Sequence, residues 1–470
     1  MKPQNLLLCL FTLLCLIVPQ GQTSAALTSE KKSWLAKANR HEKNGWIYVH
    51  IEGTARERGF QHGYLLANEI KEGLRIEKKI WEYSSAKEWS WLVNNAATMS
   101  IPKVDSENLA EIDGIVEGMK SAGVVTTRDE LVAYNASEEL EFYWWPSVKD
   151  SIYRNSVVEK KQSCSSFIAT GSMTADGQIV LGHNTWGSFP GAYYNIILDI
   201  LPENGHRILM QASPGFIHSG TDFFITDAGI VGSETTIDGF FPFDPKGIPE
   251  FSRMRHAMQY ASSIDEWADI MKRGNNGGYA NAWLLGDIKT NEIAWFELGL
   301  KYVGFEKKKD GYFSGSNIAE DLKILRFETN VHGLNIKDND ISRRVRWKQL
   351  MKEHAGKIDL EQGKSFLADH FDTYLRVVSP GSRTICGHFD IDSETFGISE
   401  PFRPFGACDG KIVDSKMAKN MSFQARWGSA CGMPFNAKKF LDEHLQYDWI
   451  TTILKDRPSQ PWTEFTAGER

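Results

Sequence analysis

The residues best suited to chemistry in this chain gather around one cysteine. Cys164 opens an apolar run, and the five residues before it (Glu159, Lys160, Lys161, Gln162, Ser163) are polar. Asp176-Gly177 follows, a dipeptide that favours hairpin turns. A second apolar run then ends in Gly182-His183-Asn184-Thr185-Trp186. Folding about Asp176 and Gly177 sets Cys164 opposite residues 187–189 by two-strand counting. A thiol, an imidazole and an indole then share one hairpin end. A cysteine nucleophile needs a base, a group that holds the developing anion, and access. His183 is one candidate base. The other is internal. If the bond between Ser163 and Cys164 is cut, the new α-amine of Cys164, with an unperturbed pKa of about 7.7–8.0, can take the thiol proton itself. The plain alternative is a buried structural cysteine on a core strand. Against it stand the position of Cys164 at the start of the run, the polar residues before it, and the His-Asn-x-Trp cluster returned beside it.

Other chemistries lack their signatures. The chain has no Gly-x-x-x-x-Gly-Lys-Ser/Thr loop, no His-Glu-x-x-His, no Cys-x-x-Cys and no Gly-x-Ser-x-Gly elbow. Its 12 histidines are scattered. Neither a metal nor a cofactor is expected. A net charge of -7 without basic clustering argues against a nucleic-acid partner.

The first 26 residues read as a secretory signal peptide: Lys2, an apolar core over residues 6–18, and the small residues Thr23-Ser24-Ala25-Ala26. The apolar core is short for a bilayer span, and no later stretch is long enough. The chain is therefore expected to be secreted, or lumenal or periplasmic according to its host. Removing the peptide leaves Cys164, Cys386, Cys408 and Cys431. With Cys164 free, at most one bridge can form in an oxidising compartment, and Cys408 with Cys431 is the expected pair, although sequence does not fix connectivity. Asn135-Ala136-Ser137 and Asn420-Met421-Ser422 are glycan acceptor sequences.

These residues must be carried by elements of the following order. Alternation predicts a strand over 46–52. Helical spacing follows over 56–75, continuing through 78–92, and again over 108–122 and 129–143. Gly59 and Gly63 lie on one face of the first helix, where they permit close backbone approach. Residues 141–163 read as a linker. From Cys164 strands dominate: 165–170, 178–184, 194–200, 207–211, 223–226 and 229–236. Helices are expected over 251–260 and 264–273, strands over 282–287, 292–298 and 311–316, helices over 341–355 and 360–370, and a strand over 383–390. The tail beyond residue 409 gives a mixed signal. The order suggests an α+β layered fold, and two stacked sheets with helices outside is one arrangement that fits.

Several stretches together resemble the phospholipase B-like proteins of the N-terminal nucleophile hydrolase superfamily, and more distantly its cysteine acyltransferases and penicillin V or bile-salt acylases. They are Ser163-Cys164-Ser165, Gly182-His183-Asn184-Thr185-Trp186, Ser213-Pro214-Gly215 through Asp222-Phe223-Phe224, Glu234-Thr235-Thr236, the run from Trp267 to Arg273, and residues 279–287. Gly59-Phe60-Gln61-His62-Gly63 resembles the family's N-terminal portion. The resemblance implies a four-layer αββα sandwich of two antiparallel sheets. It implies a proenzyme whose segments 27–163 and 164–470 form one domain and which cleaves itself between Ser163 and Cys164. It implies hydrolysis of an amide or ester acyl bond in a small-molecule, lipid-type substrate. By matching position, Cys164 is the nucleophile and its freed amine the base, His183 orients or polarises, and Asn317 is the oxyanion-hole asparagine. Trp186, Glu234 and Thr235 are implied at the substrate pocket, and Arg383 as a charge contact. Each has a plain structural reading too: His183 satisfying backbone groups, Trp186 packing in the core, Asn317 in a turn, Glu234 and Arg383 in ion pairs. The bile-salt and penicillin acylases carry arginine and aspartate where this chain has His183 and Trp186, which favours the phospholipase B-like branch. Two alternatives remain beside hydrolysis: acyl transfer to an amine, and a non-catalytic lumenal lipid-binding protein. Sequence leaves the oligomeric state open.

Overall fold

A computed structural model of the protein describes residues 27–152, 164–191, 195–221, 223–394 and 400–470. The signal-peptide segment, Ser163 and most of the expected linker lie outside them. Two sheets dominate. The larger has nine strands, in the order Asn39–Lys43, Trp46–Gly53, Ile196–Pro202, Ile208–Ala212, Phe223–Thr226, Ile230–Thr236, Asn281–Asp287, Glu292–Leu298 and Val303–Lys308. The smaller has six: Gly311–Gly315, Ser165–Thr170, Val180–Asn184, Asp409–Asp414, Ser422–Trp427 and Thr463–Thr466. Pairing is antiparallel except where Trp46–Gly53 runs parallel to Ile196–Pro202. That single parallel pair departs from the expected all-antiparallel sheets. Its two strands are separated in sequence by the N-terminal helices and by two strands of the small sheet, a connection long enough for a parallel crossover.

Three apolar layers hold the sheets. Ile168, Leu181, Ile197, Leu209, Phe223, Leu284, Val413 and Phe423 fill the space between them. The outer face of the large sheet offers Leu198, Met210, Phe224, Trp283 and Phe296 to helices carrying Ile70, Leu74, Ile112, Ile115, Met254 and Trp267. The outer face of the small sheet offers Phe167, Val180 and Ile412 to Trp347, Leu350, Phe366 and Leu367 from the helices Asn339–Glu353 and Leu360–Leu367. The order helix, sheet, sheet, helix is the αββα sandwich. Strand alternation produces it directly, because successive residues such as Phe167 and Ile168 face opposite layers.

Most elements lie where the residue pattern puts them, and the differences have local causes. The helix expected over 56–75 breaks into Ala55–Leu65, capped by a reciprocal Thr54 and Glu57 box, and Ala67–Ser85. The start of the expected linker is helical instead: a π-helical turn, Leu140–Trp144, runs into Trp145–Ile152. The strand expected over 383–390 is not formed. There Thr384 Oγ1 donates to the Gly381 and Cys386 carbonyls, which curls the chain instead of extending it. Three strands of the small sheet come from the tail that gave a mixed signal.

Two expectations fail on burial. Cys408 and Cys431 are not bridged, and no disulfide forms among the described residues. Cys408 is buried with its Sγ against the Gly187 and Gly406 carbonyls, whereas Cys431 sits beside Cys386 and His388. Asn135 does not offer a glycan site. It is 4% exposed, its Nδ2 donates to the Leu131 and Gly215 carbonyls, and its Oδ1 accepts from the Ile217 amide. Asn420 is exposed.

Candidate active site

Cys164 immediately precedes the strand Ser165–Thr170. It is 1% exposed and has a φ of +73°. A non-glycine residue in this left-handed region carries roughly 1–2 kcal/mol of local strain. The strand pairs with Val180–Asn184 in a register that sets Ser165 opposite Asn184 and Ser166 opposite His183. Continued one step, that register brings Cys164 opposite Thr185 and not residues 187–189. The reason is the connection. Asp176 and Gly177 do not form a two-residue turn; they sit inside a longer loop that begins with the 3-10 turn Gly171–Met173. The loop is held by Asp176 Oδ1 accepting from the Gln178 amide and by Gly177's carbonyl accepting from Asn291 Nδ2. His183 and Trp186 still reach the cysteine's end of the sheet.

The residue that ties the site together is Arg343, which the sequence reading missed. It lies in the first turns of the helix Asn339–Glu353 and is fully buried. Its Nη1 donates to the Cys164 carbonyl at 2.7 Å, and its Nη2 donates to Asn317 Oδ1 at 2.8 Å and Asn339 Oδ1 at 2.9 Å. The guanidinium lies 4.1 Å over the Trp186 ring, so the indole fixes its plane as well as filling core. Burial lowers the Arg343 pKa to about 10, while Asp340, Cys164 and Asp238 oppose the drop. The group therefore stays cationic at neutral pH. A fixed cation within electrostatic reach of Cys164 favours a thiolate there.

Asn317 follows the edge strand Gly311–Gly315 and has a φ of +71°. Its Nδ2 donates to the Thr236 carbonyl at 2.8 Å and its backbone carbonyl accepts from the Asp238 amide. Its amide plane is thus held between two elements, with Arg343 on the oxygen. Trp186 is held in turn. Its Nε1 donates to the Ile385 carbonyl, and its ring rests on Gly387, where any Cβ would stand 2.4 Å from the indole.

His183 is buried between the sheets. Its Nε2 is 3.0 Å from the Glu234 carbonyl and must donate to it, which leaves Nδ1 bare; Nδ1 is buried and has no partner. Desolvation and then the charge of buried Lys411 hold its pKa well below the ordinary value, so the ring is neutral. Lys411 is itself paired with buried Asp409 at 2.8 Å. Thr235 lies across from the same sheet end, its Oγ1 over Gly315, buried and unpartnered. Buried polar atoms without a protein partner mark where water or a ligand is satisfied. Asn281, opposite Thr236, adds both atoms of its side-chain amide to that set.

The fold separates the remaining expected residues. Glu234 is buried with Oε1 accepting from the Tyr279 hydroxyl at 3.2 Å, so it reaches the cysteine region through its backbone carbonyl to His183. Arg383 is committed elsewhere: its Nε donates to Asp372 at 2.8 Å and its Nη1 to the Glu394 carbonyl at 3.1 Å. The arginine that contacts Cys164 is Arg343.

A family model described as Phospholipase B matches residues 107–298 of this chain. An uncharacterized protein of Archaeoglobus fulgidus is 26% identical over 301 residues, covering 61% of this chain and 48% of its own. Phospholipase B of Crotalus adamanteus is 25% identical over 318 residues, 58% of this chain and 55% of its own. The chain thus spans about half the length of these relatives. Among solved structures, a mutant conjugated bile acid hydrolase from Clostridium perfringens aligns with 56% of this chain and 89% of its own at 11% identity, with a TM-score of 0.37. The chain is similar to the phospholipase B-like family, as its motifs imply.

Proposed function

We propose that the chain is a phospholipase B-like acyl hydrolase made as a proenzyme, with Cys164 as the nucleophile. In the maturation step the Cys164 thiol adds to the Ser163 carbonyl. The Ser163–Cys164 C–N bond breaks, and the proton lost by sulfur goes to the leaving nitrogen. Water then opens the resulting thioester, leaving a Ser163 carboxylate, a free thiol and a new α-amine on Cys164. In turnover that amine takes the thiol proton, the thiolate attacks an acyl ester or amide, and water releases the acid. Arg343 fixes residue 164 by its carbonyl and favours the thiolate. The amide of Asn317 is the donor toward the developing oxyanion. His183 is a neutral positioning group held between the sheets.

The observation that carries this reading is the state of Cys164: buried, left-handed, and gripped through its carbonyl by an arginine that also orders Asn317. Left-handed strain at the first residue after the cut is relieved when the peptide bond opens. The name of the Crotalus relative and of the family model supports a lipid-type ester or amide as substrate. Residues 27–163 then remain joined to the catalytic segment as one domain, since the strand Trp46–Gly53 pairs with Ile196–Pro202 in the large sheet. Export through the N-terminal peptide, to an extracellular, lumenal or periplasmic space, and a glycan on Asn420 complete the proposal. Among the described residues no helix is long and apolar enough to cross a membrane.

Intact-mass analysis of wild type and Cys164→Ala tests it. The wild type is expected as two fragments divided at residue 164 and releasing acid from an acyl substrate; the variant is expected whole and inactive. A wild-type chain that stays whole while hydrolysing at full rate overturns the scheme.

A further inference from the structure

Away from Cys164, the fold gathers a second set of reactive side chains. His370 follows the helix Leu360–Leu367, Cys386 and His388 lie on the curled segment behind Trp186, and Cys431 follows the strand Ser422–Trp427. Each offers one ligand atom, and the four atoms lie within 4.8 Å of one another. Cys386 Sγ is 3.6 Å from His388 Nε2, and Cys431 Sγ is 3.4 Å from the same nitrogen. Tetrahedral zinc with two thiolates and two imidazoles requires ligand-to-ligand separations of roughly 3.3–3.8 Å. Cys386 and His388 are buried, and the buried Nε2 of His370 makes no well-formed hydrogen bond.

We infer that His370, Cys386, His388 and Cys431 form a structural zinc site. The ligand chemistry is that of a closed, four-coordinate site: two thiolates neutralise Zn²⁺, and two neutral imidazoles complete it without leaving a net charge in the interior. The surroundings suit it. The Met433 amide at 3.4 Å and the Ser429 hydroxyl at 3.3 Å face Cys431 Sγ and can donate to a thiolate. Asp390 Oδ1 lies 3.9 Å from His388 Nδ1, on the side away from the sulfurs, where an outer carboxylate orients a ligating imidazole. A bridge between Cys386 and Cys431 is the competing use of the two sulfurs. It leaves both converging imidazoles without a task. The consequence reaches the candidate active site. Ile385 accepts from Trp186 and Asn184, and Gly387 packs on the Trp186 ring. The ion would therefore pin the segment on which Trp186, and through it Arg343, rests.

The test is metal analysis of the full-length protein, purified with a mild reductant and given one equivalent of Zn²⁺ before gel filtration. One zinc per chain is expected. Replacement by Co²⁺ is expected to give the sulfur-to-cobalt charge-transfer band and the intense visible bands of a tetrahedral site. Cys431→Ser is expected to lose the charge-transfer intensity of one thiolate. His370→Ala, a partly exposed position whose loss the fold is better placed to tolerate, is expected to weaken zinc at least tenfold with the far-ultraviolet spectrum unchanged. Two results overturn the proposal: wild type, fully reduced and folded, that retains no zinc; or a non-reduced, denatured mass two hydrogens short, with the missing pair mapped to Cys386 and Cys431.

Discussion

At the scale of single residues, the division of labour turns on which groups hold charge in the interior. Arg343 and Lys411 are both buried cations beside the cysteine's end of the sheet. Lys411 is neutralised by Asp409 and keeps His183 uncharged. Arg343 instead spends its donors on the Cys164 carbonyl and two asparagine side chains. Its planar fork is what permits this, and a lysine ammonium cannot bridge the same three acceptors. Arg343→Lys should therefore slow both self-cleavage, followed by intact mass, and acyl hydrolysis by about 10²-fold, the cost of losing one preorganised donor. Unchanged rates in a folded Arg343→Lys protein would remove the arginine from the mechanism. Cys164, His183, Trp186 and Asn317 could be singled out because they stand in short, distinctive stretches that carry the family resemblance, and the fold links Cys164, Asn317 and Trp186 through one arginine. Arg343 could not. It lies in Ser342-Arg343-Arg344-Val345-Arg346, which reads as a solvated basic helix face, and only packing against Trp186 shows which arginine is buried. Cys386-Gly387-His388 carries a readable two-residue spacing, yet His370 and Cys431 are too distant in sequence to announce it.

At the scale of elements, the clearest case is the crossing of the helices Ala55–Leu65 and Ser106–Ser121. The glycine spacing suggested close approach, and the structure makes it closer than a side chain allows. A Cβ on Gly59 would stand 1.9 Å from the Glu111 carbonyl oxygen, and one on Gly63 2.1 Å from that of Ile115. Gly114 and Gly118 meet the first helix in the same way, at 2.4 Å from the Arg56 carbonyl and 2.3 Å from that of Phe60. These obstacles are backbone atoms, which cannot swing aside. Gly63→Ala must separate the helices, and a loss of about 1–3 kcal/mol or more is expected in chemical denaturation, with a lower Tm. A neutral result would mean that the crossing is looser than the structure has it. The hairpin teaches the opposite lesson. Asp176-Gly177 correctly marks a reversal, but dipeptide chemistry does not report loop length, and the register moved. The segment over 383–390 was expected as a strand, yet its backbone is spent on Asn184, Trp186 and its own Thr384. Local alternation cannot foresee partners brought in by the sandwich.

At the scale of the whole molecule, the strand order left two stacked sheets as one arrangement that fits and the family resemblance implied the four layers, because strands buried on both faces carry no polar face to mark their neighbours; the interior of those layers sets the pH at which the fold is most stable. Three buried histidines are kept neutral by desolvation: His62 at about 4, His218 at about 3, and His183 well below its ordinary value. His62 must stay unprotonated at Nε2 to accept the Gly215 amide at 3.0 Å. The unfolded chain protonates these rings below about pH 6.5, so the stability they preserve is lost as pH falls from there through the folded values. Buried carboxyls act in the other direction. Burial raises Glu139 to about 6 and Glu297 to about 8, and desolvation raises the half-buried Glu77 to about 7. The folded state keeps their protons above the unfolded value of about 4.5, and the stability this gives disappears as pH rises through the folded values. The two sets offset each other between about pH 4.5 and 6.5, so the stability maximum is expected in that mildly acidic window. Urea denaturation from pH 4 to pH 8 is the measurement. His62→Gln, whose amide oxygen can still accept from Gly215, should flatten the acid side by up to about 3 kcal/mol, the equivalent of its shift. Glu297→Gln should lessen the fall above pH 6.5, leaving only the part due to Glu77 up to about pH 7, at a constant cost from losing one of its two backbone donors, Glu320 and Asp321. A wild-type curve that keeps rising to pH 8, or an acid limb that His62→Gln leaves untouched, would show that the interior does not hold its protons as argued.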